Sequence, residues 1–133
     1  MHLDKQFLIW ALSFAVIGLA LGIYMAASQN HGELVAHAHI LLIGFVISFI
    51  YGIIHKLWLD KPSRAIATIQ FALHQAAAVT LSVGLFLVYG NILPASVLDP
   101  ILGIAAIGVL LGMLLMLYMV IRFGTGDARI ASS

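Results

Sequence analysis

Cysteine is absent from this chain of 133 residues. That excludes disulfides, thiolate metal sites and haem attached covalently through a Cys-x-x-Cys-His segment, so any haem would be held by nitrogen or methionine. Charge is also scarce. Only 8% of residues are Asp, Glu, Lys or Arg, where soluble domains carry about 25%. A soluble fold cannot clothe itself with so few charges. The net charge is +1, and no basic patch is interleaved with aromatics, so no nucleic-acid partner is expected. The acidic residues Asp4, Glu33, Asp60, Asp99 and Asp127 sit at the ends of apolar runs or in connections. With no carboxylate at mid-depth, a proton-coupled exporter is disfavoured.

What remains is apolar: 63% of residues are hydrophobic and the mean hydropathy is +1.14. Four runs are separable, over 7–27, 35–54, 65–89 and 97–121. Each is close to or above the roughly 20 residues that span a bilayer as a helix. They lack the alternation of barrel strands and are too long for them. The first run is longer than the apolar core of a signal peptide, so it reads as a spanning helix. Short connections predict an antiparallel bundle. The expectation is therefore an all-α fold, a single integral membrane domain over 1–133 with four transmembrane helices.

The basic residues are Lys5, Lys56, Lys61, Arg64, Arg122 and Arg129. All fall in the two tails and the second connection, which a four-span bundle puts on one side. The positive-inside rule places that side, and both termini, in the cytoplasm of a bacterial-type inner membrane. Trp10, Trp58, Tyr24 and Tyr89 lie near span ends and suit an aromatic belt. Gly18 and Gly22, and again Gly108 and Gly112, have the four-residue spacing that lets helices approach closely. Pro62 and Pro100 read as near helix starts.

Six histidines remain to be explained. Inside lipid an ionisable side chain is read first as functional, and neutral imidazole is the commonest metal ligand. At about 100° per residue, His37, Gly44, Ser48 and His55 share one small, polar face, whereas His39 points about 200° from His37. The two cannot chelate one ion from a regular helix, unlike a pair four residues apart. One as ligand and the other as a supporting or interface group is the better arrangement. His74 is the deepest, on a stripe with Ala67, Gln70, Ala77 and Ala78 that Leu81 closes. It either ligates a cofactor beside those alanines or hydrogen-bonds Ser48 or a backbone carbonyl. His31 lies in the outer connection and is a weaker metal candidate, better read as solvated. His55 sits at the inner boundary beside Lys56, and His2 is in the tail.

The segment His37-Ala38-His39-Ile40-Leu41-Leu42-Ile43-Gly44-Phe45, followed one helix later by Phe71-Ala72-Leu73-His74-Gln75, resembles a pattern of small membrane proteins related to subunit I of haem–copper oxidases and nitric-oxide reductases. That pattern reads HAHxNLLGW and then FWLHN. The present chain departs from it at Leu41, Ile43, Phe45, Ala72 and Gln75. The resemblance implies haem b bound by histidine, with copper or another transition metal nearby. The candidate cofactor residues are His37, His39 and His74, and the candidate metal residues add His31. On straight helices His74 would lie roughly 13 Å and His39 roughly 23 Å from the inner boundary, a mismatch for two ligands of one haem.

These readings converge on a haem b-binding inner-membrane protein in electron transfer or oxygen or nitric-oxide chemistry. Haem would sit on His74 and one of His37 or His39, so His74→Ala should remove its absorption spectrum. Four short helices enclose little volume, so a homo-oligomer is expected to shield the cofactor, with a respiratory redox partner beyond it. Two other classes stay open. One is a non-enzymatic haem or copper assembly protein or sensor. The other is a structural membrane protein whose histidines only hydrogen-bond.

Overall fold

The computed structural model describes residues 2–125. Arg129 and Asp127, used above in placing charge, lie outside the described residues. Four helices are long and apolar enough to cross a membrane: α1 (Leu3–Ser28), α2 (Leu34–Leu57), α3 (Arg64–Tyr89) and α4 (Ala95–Phe123). Each extends the corresponding apolar run by a few residues. Residues in left-handed conformation, Gln29 and Asn91, stand just past α1 and α3, where such residues commonly close a helix. Because α4 begins at Ala95, Pro100 falls inside it rather than at its start.

Helix α2 packs on α1 along its length and on α3, and α4 packs chiefly on α3. At the basic end, all four meet around Phe7, Tyr51, Ala67, Met116 and Met119. The Phe7 ring has zero exposure and is the hub of that end. It meets the Tyr51 and Phe71 rings edge-on, at 5.7 and 4.8 Å, and stacks on His55 at 5.4 Å. The C-terminal end of α4 is tied to the second connection by main-chain bonds from Asp60 to Phe123 and from Thr125 to Trp58. Elsewhere large apolar side chains face outward from every helix, among them Val16, Ile23, Leu42, Ile69, Ile104 and Ile121. A surface this apolar belongs against lipid rather than water.

The backbone departs from a regular helix in one place. Residues Ile40–Ile47 are π-helical, between α-helical Leu34–His39 and Ser48–Leu57. This changes which side chains share a face. Ala36, Ile40, Gly44 and Ser48 are all buried. In a regular helix three steps of four residues would turn the face by about 120°. The wider π turns hold those positions in line, so α2 keeps one small-residue face on its neighbours. At Gly44 a side chain of α1 fills the space: a β-carbon there would overlap the Phe14 ring.

Candidate histidine site

The stripe on α3 is buried as its spacing requires: Ala67, Gln70, His74, Ala77, Ala78 and Leu81 all face the interior. His74 has zero exposure. Its Nε2 shares a hydrogen bond with Ser48 Oγ at 3.0 Å, and the Gln75 side-chain amide donates to the same oxygen at 3.2 Å. The Tyr51 ring meets the imidazole edge-on at 4.8 Å. On the far side Gly112 of α4 leaves just enough room, since a β-carbon there would stand 3.5 Å from His74 Cβ. The carbonyl of the same Gly112 accepts from the Gln70 amide at 3.3 Å. Thus α2, α3 and α4 are joined through one polar cluster, and both Gly108 and Gly112 lie at the α3–α4 contact. Within the cluster His74 Nδ1, Gln70 Oε1 and Gln75 Oε1 are buried without hydrogen-bond partners among the described residues.

His37 is half-buried against α1. Its Nδ1 lies 2.8 Å from the Gly18 carbonyl, and its ring covers Gly22. A carbonyl only accepts, so this nitrogen carries the hydrogen and Nε2 keeps its lone pair. His39, also half-buried, donates from Nδ1 to the Val35 carbonyl of its own helix at 2.8 Å, with the same consequence. Neither Nε2 has a hydrogen-bond partner among the described residues. Anchoring one imidazole nitrogen on a carbonyl while freeing the other is the usual preparation of a metal-bound histidine.

The four candidates do not converge. His31 is exposed in the first connection. His37 is engaged with α1, His39 with its own helix and His74 with Ser48. Among the described residues no group of three or more His, Cys, Asp or Glu is placed to hold a metal ion. The fit to haem differs by residue. At His74 it fails, because a macrocycle on Nε2 would have to displace Ser48 and part α2 from α3. At His39 the donor suits iron and the ring is partly open. The cavities of about 620 and 490 Å³ are lined by other residues.

Sequence reasoning placed Gln70 on the buried stripe but not its partner, and it missed Gln75 and Glu33. Gln70 and Gln75 bond across helices, but in the sequence they are only two polar residues flanking a histidine. Glu33 was read merely as a connection residue. It is buried, with one carboxylate oxygen unpartnered among the described residues and the other close to Gly90 at the end of α3. Burial pushes its carboxyl above the usual carboxylate range. No protein-family model, curated protein or solved structure matches this chain.

Proposed function

We propose that this chain is a haem b-binding protein of a bacterial-type inner membrane, acting in electron transfer or in oxygen or nitric-oxide chemistry. The observation that carries the reading is at His39: its Nδ1–H is fixed on the Val35 carbonyl, leaving Nε2 without a partner among the described residues, on a half-buried ring in a spanning helix. His39 would hold the iron, with a second copy of the chain covering the other face. Haem bound there supplies a one-electron couple and an iron that accepts diatomic gases. His37 braces α1 on α2 beside it, and His74 locks α3 to α2. The basic end then faces the cytoplasm, together with both termini.

A specific observation favours a second reading. His37, His39 and His74 each have a hydrogen-bond partner, which suffices for a structural membrane protein. Absorption spectra of the detergent-purified protein, oxidised and dithionite-reduced, with elemental analysis for copper and zinc, separate the two. A Soret band lost in His39→Ala and kept in His74→Ala supports the proposal. Loss of the band in a stably folded His74→Ala variant would return the iron to His74. A colourless, metal-free protein from haem-supplied cells leaves the structural reading.

A further inference from the structure

The helices α1 and α3 run in the same direction with few contacts between them, and a cleft lies between them, with Ile40 of α2 in the lining of its apolar part. Two cavities open along it. At the basic end, a cavity of about 620 Å³ is lined by polar groups that include His2, Asp4, His55, Arg64 and Thr68. Further along, a groove of about 490 Å³ is almost wholly apolar, with Trp10, Phe14 and Ile17 on one wall and Val79, Val83 and Phe86 on the other.

The charges of the polar cavity are not balanced. Asp4 is paired with Lys56 at 3.7 Å, whereas Arg64 has no ion pair among the described residues. Arg64 opens α3, whose first turn carries no acidic residue and whose N-cap makes no side-chain bond. Arg64 lines the same cavity and stands at the positive end of the α3 dipole. The buried Nε2 of His55 in the cavity wall also has no partner among the described residues. A phosphate ester answers this chemistry. Between the two cavities, Thr68, Ala72 and Ala76 form an exposed strip of small side chains on α3, along which an extended alkyl chain can lie.

We infer that the α1–α3 cleft is a binding site for one phospholipid of the leaflet at the basic end. Its phosphate sits in the polar cavity on Arg64, and one acyl chain runs along Thr68 and Ala72 into the groove beneath Trp10 and Phe14. A free phosphate shares the headgroup chemistry but has nothing to place in the groove. A diacylglycerol shares the chains but leaves Arg64 unpaired. The site uses none of the residues assigned to haem, so it stands or falls independently of that proposal.

Native mass spectrometry of the full chain in detergent tests it, after separate incubation with phosphatidylglycerol, with diacylglycerol of the same chains and with inorganic phosphate. The expected result is one retained phosphatidylglycerol per chain and neither of the other two. Arg64→Gln should weaken retention by about tenfold or more, as loss of a charge-assisted contact does. Arg122→Gln, at the same end but on α4, should not. Val79→Trp fills the near end of the groove from its exposed wall and should also expel the lipid, which keeps the test sharp if Arg64→Gln folds poorly. Retention unchanged in both cleft variants overturns the site. So does equal loss in Arg122→Gln, which would mean non-specific charge. Binding of inorganic phosphate as tightly as lipid, or no adduct at all, overturns it as well.

Discussion

His74 illustrates how much a single buried polar side chain can hold together. Its imidazole is enclosed by Ser48, Tyr51, Gln75 and Gly112, so removing it opens a cavity and strips the Ser48 hydroxyl of one partner. For His74→Ala the expected loss is about 2–4 kcal/mol, from the cavity and the abandoned hydrogen bond together. Thermal melts in detergent would show it, and a variant as stable as the parent contradicts the placement. Residue types and spacing made the histidine and its alanine-lined stripe legible, and Ser48 was visible as a partner. The two glutamines were not, because an amide's partner depends on which carbonyl or hydroxyl another helix brings to it.

At the scale of the element, α2 is the helix against which α1 packs along its length. Its line of small buried residues lets α1 approach until Phe14 covers Gly44, so Gly44→Ala is expected to cost about 1–3 kcal/mol through forced separation. Gly103 on α4 has nothing within 4 Å of an added β-carbon, and there alanine should be neutral or stabilising by up to about 1 kcal/mol. Equal melting shifts for the two would refute the packing. The start of α2 carries a pH dependence. Burial raises the Glu33 carboxyl from its ordinary value of 4.5, so the folded chain holds that proton more tightly than the unfolded one. Its contribution is therefore fullest below 4.5 and declines as pH rises through the raised folded value. Glu33→Gln should flatten this decline and melt higher at neutral pH. Melting curves across pH 4–8 that are superimposable for variant and parent would show Glu33 to be freely solvated.

At the scale of the whole molecule, the asymmetry of charge sets the expected orientation. The described basic residues Lys5, Lys56, Lys61, Arg64 and Arg122 gather at the end where all four helices meet, and the connections at the opposite end carry none. The absence of cysteine makes this simple to check. A cysteine introduced at Asn30 should react with a membrane-impermeant maleimide on intact cells, and one at Asp60 only after lysis. The reverse pattern would invert the orientation and move the proposed lipid site to the opposite leaflet.

Scarcity of charge and four long apolar runs were enough to determine an all-helical chain with four candidate membrane spans, since length and hydropathy are additive along the sequence. The interior face of α3 was equally legible, because its helix is regular and a constant turn per residue maps position onto direction. That rule failed on α2, where π-helical turns over Ile40–Ile47 changed the rotation and no residue type announces such turns. Tertiary structure alone decided that His37 meets the Gly18 carbonyl and His74 the Ser48 hydroxyl, whereas His39 turns to Val35 of its own helix. A histidine's partner is whatever atom lies within about 3 Å of its ring, and that distance is set by helix contacts remote in sequence.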